Sequence, residues 1–322
     1  MGRTRRKGDI MKVLGQSEGN GWILYNADCV DVVSSLKDDS IHYSIFSPPF
    51  SSLYTYSASE RDMGNSKDND EFFGQFSFLI KQLHRVTKPG RLVSVHCMNI
   101  ATSKVKDGHI GLKDFRGDII REFERLGWIY HSEVCIWKDP VVAMQRTKAL
   151  GLLYKQLCKD SCMSRQGIAE YLCTFRKPGD NPERVGAPNR VRFDNYIGDN
   201  APQRTPGDER YCIDVWQRYA SPVWTDINSS DTLQYRSARE HDDEKHICPL
   251  QLQVVRRGVE LWSNPGDTVL SPFAGIGSEG YVSIEMKRRF VGVELKKSYY
   301  DQAVKNLRAA EPGKGQLGLG IT

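Results

Sequence analysis

The chain has 322 residues, 39% apolar and 26% charged, which is enough for one large α/β domain with an inserted lobe, or for two domains. Its net charge of +5 is compatible with a polyanionic partner but does not establish one. No run approaches 18 apolar residues, so no membrane-spanning helix is expected, and no apolar segment follows the basic start Arg3, Arg5, Arg6 and Lys7, so a cytoplasmic protein without a leader is expected. The 8 cysteines are scattered, which fits reduced thiols rather than a disulfide framework. Cys158, Cys162 and Cys173 form the closest group. A zinc site there would need a distant fourth ligand such as Cys212, and the spacings do not match zinc knuckles, so no metal is expected.

In chain order, residues 1–20 read as a flexible arm. Trp22 to Tyr25 reads as a strand, closed by Asn26-Ala27-Asp28, and Cys29 to Leu36 as a helix. Ile41 to Phe46 is a second strand that delivers Ser47-Pro48-Pro49-Phe50 at its end, the edge where open α/β sheets bind ligands. A polar loop covers about 51–70. Phe72 to Val86 has helical spacing, and Lys88-Pro89-Gly90 is expected to stop it. Arg91 to Cys97 reads as a buried strand, Phe115 to Leu126 as a helix, and Trp128 to Trp137 as a strand.

From 139 the character changes. A helix-like piece, Ala143 to Cys158, leads to a strand, Glu170 to Phe175, and then to a Pro/Gly/Asn/Arg-rich stretch at 178–210. We assign 139–215 to an insert, between a first half at 21–138 and a second at 216–310, with a loose tail at 311–322. In the second half, Cys248 to Leu261 is an amphipathic helix. Thr268 to Leu270 is a strand feeding Phe273-Ala274-Gly275-Ile276-Gly277, and Ser278 to Met286 is the helix after it. Phe290 to Glu294 is the next strand, and Tyr299 to Ala309 a closing helix.

Two turns carry the chemistry. Gly275-x-Gly277-x-x-Gly280 lets backbone approach a ligand at a helix N-terminus, and Glu294, ending the next strand, suits the two hydroxyls of a ribose. That pattern serves NAD and S-adenosylmethionine alike. Ser47-Pro48-Pro49-Phe50 separates them, because hydride transfer has no use for it and amine methylation does. An exocyclic amine is a poor nucleophile, since its lone pair is delocalised into the ring. Acceptors at Ser47 and the Pro48 carbonyl favour a pyramidal nitrogen, and the prolines keep those acceptors aimed. Phe50 offers a flat face for an extruded base.

The order and number of these motifs resemble the beta-class DNA amino-methyltransferases, in which the catalytic motif precedes the cofactor motif. Residues 22–138 and 245–308 carry the resemblance. Ser47 to Phe50 is similar to the catalytic tetrapeptide, and Asn26-Ala27-Asp28 to the acidic turn near the cofactor adenine. His84 to Leu92 resembles the helix-to-strand corner that follows the tetrapeptide. Ile136-Trp137-Lys138 resembles the strand end before a target-recognition insert, and Lys245 to Pro249 the helix entry beside the methionine end of the cofactor. The resemblance implies a Rossmann-like, mostly parallel sheet with flanking helices, S-adenosylmethionine as cofactor and DNA as partner. It implies that Ser47, Pro48, Pro49 and Phe50 are catalytic. It also implies cofactor contacts at Asp28, Pro249, Ser271, Phe273 to Ser278, Glu294 and Leu295, with Ala274, Gly275, Ile276 and Gly277 forming the loop.

Two departures stand out. Ser271 occupies a position where the family usually has Asp, which weakens the expected contact with the cofactor's ammonium or shifts it elsewhere. The tetrapeptide opens with Ser47, which the family associates more with cytosine N4 than with adenine N6. A serine hydroxyl is a weak proton acceptor, so the departing proton is expected to reach water. Methylation of cytosine N4 is therefore the first expectation and adenine N6 the second. The rivals are a catalytically decayed nucleic-acid-binding module, a nicotinamide-dependent oxidoreductase, and methylation of a protein amide or RNA base. Oligomeric state, recognition sequence and any companion restriction enzyme are left open.

Overall fold

Alternating strand-like and helical segments build one nine-stranded sheet covered on both faces. The computed structural model describes residues 13–49, 63–66, 68–102, 104–147, 150–186, 216–234 and 249–312. In chain order the elements begin with β1 (Val13–Gly19), β2 (Trp22–Ala27), α1 (Cys29–Ser35), β3 (Ile41–Phe46), α2 (Asn69–Val86) and β4 (Thr87–Met98). They continue with β5 (Ile100–Ala101), α3 (Lys104–Asp107), β6 (Leu112–Lys113), α4 (Phe115–Arg125), β7 (Ile129–Ile136), α5 (Pro140–Thr147), α6 (Tyr154–Lys159) and β8 (Glu170–Arg176). The last are β9 (Val223–Trp224), α7 (Leu252–Trp262), β10 (Thr268–Ser271), α8 (Ser278–Glu285), β11 (Arg289–Glu294) and α9 (Lys297–Ala309).

The large sheet has the order β1-β2-β11-β10-β3-β4-β8-β7-β9, and β5 and β6 form a separate small pair. The central strands β2, β11, β10, β3 and β4 are parallel, while β1 and β8 run against their neighbours. Successive strand residues face opposite sides, so each strand feeds two cores. Tyr43 and Ile45 pack with Val254, Val255 and Val259 of α7, Val282 of α8 and Leu307 of α9. Phe46, Val93 and Val95 pack on the other side with Phe72 and Phe76 of α2 and Phe123 of α4. Phe123 also stacks on Phe175, with ring centroids 4.0 Å apart.

Three expectations need correction. Val13 to Gly19, read as part of a flexible arm, is an edge strand paired antiparallel with β2, and its alternating half-exposed side chains give no apolar signal. The stretch 139–215 is not an insert along its whole length, because β8 lies inside the sheet between β4 and β7. The helix expected over Ala143 to Cys158 is broken into α5 and α6 by a tight turn at Leu150–Leu152. Gly151 is a poor helix former there, and its carbonyl accepts from Arg165 N at 2.9 Å instead of propagating a helix. A smaller difference concerns Lys88-Pro89-Gly90. Helix α2 does end at Val86, but Thr87 already pairs with Ile41, and Gly90 at φ 70° lets the strand run on through an irregularity.

The edge where β3, β4 and β10 begin is tied by charge. Arg91 is buried and its guanidinium lies 2.8 Å from Asp267 Oδ2. His42 Nδ1 accepts from Thr268 N at 3.1 Å, and its Nε2 lies 3.2 Å from Glu183 Oε2. Lys88 Nζ is 2.6 Å from Glu183 Oε1, so cations already answer the acids of this cluster. Asp267→Ala would leave the Arg91 charge buried and poorly compensated, since Glu183 Oε2 lies 3.9 Å away on a half-exposed side chain. We expect a loss of about 3–5 kcal/mol in urea denaturation with the fold of the remaining population unchanged.

Candidate active site

Strands β3 and β10 are parallel neighbours, with Tyr43 opposite Val269 and Ser44 opposite Leu270. Both end at the same edge, one strand spacing apart, about 4.8 Å. The segments they release, Ser47-Pro48-Pro49 and the turn through Gly277, therefore start side by side. Just beyond the strands, the Phe46 and Phe273 rings lie 5.7 Å apart and anchor the two segments to each other.

Backbone hydrogen bonds fix the glycine turn. Ala274 N donates to Val293 O at 2.8 Å, Gly275 N to Glu294 Oε2 at 2.9 Å, and Gly277 N to Ala274 O at 2.7 Å. Gly275 (φ 52°) and Gly277 (φ 90°) are left-handed, a conformation that favours glycine. Their surroundings differ. A Cβ on Gly275 would meet nothing within 4 Å, whereas one on Gly277 would come within 3.3 Å of Ala303 Cβ. One glycine keeps an open face and the other allows close packing on α9. Gly277 caps α8 without a side-chain hydrogen bond of its own, and one first-turn amide, that of Glu279, is taken by the Glu279 carboxyl.

Glu294 is held on both oxygens, since Oε1 also accepts from Lys296 N at 2.8 Å. Beside it, Asn26 Nδ2 donates to the carbonyls of Glu294 and Leu295, each at 2.9 Å. This ties the end of β2 to the end of β11 and places Asp28 on the same edge. Asp28 itself caps α1, accepting from Val30 N at 2.8 Å and Asp31 N at 3.1 Å. Glu279, in the first turn of α8, is buried, and burial with Glu294 nearby pushes its carboxyl up to about 8. It is therefore mostly uncharged at neutral pH.

The glycine turn and Glu294 stand where the sequence placed them, but several side chains there serve the core. Phe273 packs on Phe46 and Phe76, and Ala274 and Ile276 are buried, so these residues offer a ligand backbone rather than side chain. Ser278 is buried at the start of α8. Ser271 is fully buried, and among the described residues its hydroxyl has no hydrogen-bond partner. Pro249 is half-buried just before the buried Leu250. Phe50, Cys212 and the run Lys245 to Cys248 lie outside the described residues. The cysteine group does not assemble, because Cys173 is buried with its Sγ 3.9 Å from Cys97 Sγ while Cys158 and Cys162 are exposed.

The structure adds a polar network that the sequence reading missed. Ser47 Oγ lies 2.8 Å from His96 Nδ1, and His96 Nε2 lies 3.1 Å from Glu170 Oε2. Lys138 Nζ is 2.7 Å from Glu170 Oε1, and Gln251 Nε2 reaches Glu170 Oε2 at 3.5 Å. His96 and Glu170 are buried on β4 and β8, which pair in register next to one another. Burial pushes the Glu170 carboxyl up, but hydrogen bonds from His96 and Lys138, with the Lys138 charge, outweigh it and hold the carboxyl at about 2. The signal in the sequence was a lone histidine inside the otherwise buried run Arg91 to Cys97. Its partners come from segments about 40 to 150 residues away, which no local pattern connects.

A glycine turn at the end of a parallel strand, an acid ending the next strand, and helices on both faces define a Rossmann-like α/β fold. The sequence profile of the N6/N4 methyltransferase family, described as DNA methylase, matches residues 41–305, and the chain belongs to that family. As a member it is an S-adenosylmethionine-dependent DNA amino-methyltransferase. Type II methyltransferase M.MjaI of Methanocaldococcus jannaschii is 23% identical over 290 residues, covering 83% of this chain and 84% of the relative. Type II methyltransferase M.BglII of Bacillus subtilis is 25% identical over 293 residues, covering 90% and 69%. Among solved structures, TTHA0409 of Thermus thermophilus, a putative DNA modification methylase complexed with S-adenosyl-L-methionine, superposes with TM-score 0.62 at 21% identity, covering 89% of this chain and 93% of that one. The cytosine-N4-specific PvuII DNA methyltransferase gives TM-score 0.61 at 14% identity, covering 94% and 89%. Among the described residues, no helix is long and apolar enough to cross a membrane.

The Glu170 network has a pH signature. The folded carboxyl titrates near 2 against an ordinary 4.5, so its contribution is complete above the unfolded value and is lost as pH falls through the folded one. Between about pH 7 and about pH 3, the urea midpoint of the unsubstituted chain should fall further than that of Glu170→Gln, which has no carboxylate to protonate. Parallel curves would mean that Glu170 does not carry this dependence.

Proposed function

We propose that the chain methylates the N4 amine of cytosine in DNA, at a selective sequence, with the base turn at Ser47-Pro48-Pro49 and the cofactor turn at 273–277. One observation carries the reading. The parallel pairing of β3 with β10 brings an amine-accepting turn beside an open glycine turn at the ligand-binding edge.

The site fits the cofactor on its own geometry. Gly275 presents backbone on a side where a Cβ would meet nothing within 4 Å, Glu294 stands fixed beside it, and the N-cap of α8 is a glycine with no side chain to cap the helix. Glu294 would hold the ribose hydroxyls, Asp28 would lie toward the adenine, and the α8 amides would face the polar end of the molecule. When bound, S-adenosylmethionine supplies a methyl group on a sulfonium that departs as a neutral thioether. Ser47 Oγ and the Pro48 carbonyl accept from the target amine and favour a pyramidal nitrogen, and Phe50 stacks on the extruded base. Ser47 in place of an acid is what favours cytosine over adenine.

Target recognition falls to the stretch after β7. There Trp137, Val141, Tyr154, Leu157 and Met163 are exposed large hydrophobics, a surface suited to displaced bases and deoxyriboses rather than to water.

Unmethylated DNA incubated with protein and S-adenosylmethionine, then digested to nucleosides for mass spectrometry, should yield N4-methylcytosine. N6-methyladenine would overturn the choice of base, and neither product would overturn the reading. Ser47→Ala should lower turnover about 10²–10³-fold, with cofactor affinity by calorimetry unchanged. Glu294→Ala should do the reverse, weakening cofactor binding about 10–100-fold, the expected effect of losing hydrogen bonds to a charged group.

A further inference from the structure

The buried chain Ser47–His96–Glu170–Lys138 has a direction that its distances and ionisation states set. Lys138 Nζ at 2.7 Å keeps Glu170 an ionised, acceptor-only group. His96 Nε2, at 3.1 Å from Glu170 Oε2, must then carry a proton to make that contact a hydrogen bond. In a neutral imidazole Nδ1 is then bare, so the 2.8 Å contact with Ser47 is a bond that Ser47 donates. A hydroxyl has one proton. With it committed to His96, Ser47 can turn only lone pairs to anything on its other side, and an amine offers two N–H donors. The other orientation, with a proton on Nδ1, would leave Glu170 facing a bare nitrogen inside a buried site.

We propose that His96, held in this tautomer by Glu170 and Lys138, makes Ser47 a dedicated acceptor for the target amine and receives the proton that the amine loses. The inference rests on the reading of Ser47 as the amine's partner. It replaces the expectation that the proton passes directly to water.

The step balances. The amine nitrogen forms its bond to the methyl group as the methyl–sulfur bond breaks with its electron pair on sulfur. One N–H proton passes to Ser47 Oγ while Ser47's own proton passes to Nδ1. The resulting imidazolium faces the Glu170 carboxylate, and its proton leaves to water after the methylated base departs. Among the described residues, Glu170 and Lys138 are the charged groups facing His96 through this network, with Gln251 as a neutral neighbour of Glu170. His96 acts through Ser47, and so is a positioning and proton-holding residue rather than one that touches the substrate.

Two measurements test the relay. The first, ¹⁵N NMR of the imidazoles in the ligand-free protein, with His96→Asn identifying the resonance, should show Nε2 protonated and Nδ1 bare. Glu170→Gln should abolish that preference. A proton on Nδ1 in the unsubstituted protein overturns the proposal, whether or not the variants fold. The second is single-turnover methyl transfer against pH. His96→Asn should slow it about 10²–10⁴-fold and remove the acid limb of the profile, with S-adenosylmethionine binding within about twofold. Glu170→Gln should slow it about 10–100-fold. An unchanged rate and profile in His96→Asn beside an inactive Ser47→Ala would sink the relay and leave the Ser47 reading standing. Full activity in Ser47→Ala would sink that reading itself.

Discussion

The pairing of β3 with β10 is the constraint on which the site depends. The two strands are about 225 residues apart in the chain, yet they run parallel and in contact, so the segments leaving them emerge together. Parallel strands need a crossover, and everything between Phe46 and Thr268 serves as one long connection that adds β4, β7, β8 and β9 to the sheet before returning. The charged cluster of Arg91, Asp267, His42 and Glu183 fixes the opposite edge of β3, β4 and β10, and the Phe46–Phe273 contact fixes the site edge. Both ends of the pairing are thus pinned by side chains rather than by the ligand-facing backbone of the glycine turn.

The antiparallel strand β8 has a second role. By lying between β4 and β7 it brings Glu170 opposite Met98, close to His96 on the neighbouring strand, and it brings Lys138 within reach from the end of β7. A charged carboxylate is costly to bury, and this one is retained with a cation on one oxygen and an imidazole on the other. The network links the sheet interior to Ser47. The segment around Tyr219 and Trp224 is held against α7 by the buried Arg257, which lies over both rings and 2.6 Å from Asp226.

Much of this was legible in the sequence where signals are local. Strand β3 ran from Ile41 to Phe46 as its apolar pattern indicated, and α2, α4, α8 and α9 followed their helical spacing to within a few residues. The glycine turn and Glu294 were placed by motif and spacing. What was hidden depends on distant partners or on a missing apolar signal. Strand β1 is an edge whose side chains are half-exposed, so its residues look like any polar lead-in. The Glu170 strand was recognised as a strand but assigned to a lobe, because the surrounding composition is polar and basic and pairing cannot be read from one sequence. Phe273 sits in the cofactor motif, and nothing in its sequence context shows that its ring also packs against one core. Ser271 is a buried hydroxyl without a partner among the described residues, and nothing in the structure explains why serine stands there.

A crystal structure of the protein with S-adenosylhomocysteine would test the central claim most directly. The account predicts the cofactor over Gly275, its ribose on Glu294, and its sulfur facing the gap between that turn and Ser47. Density elsewhere, or a sulfur directed away from Ser47 with no ribose hydroxyl on Glu294, would contradict it.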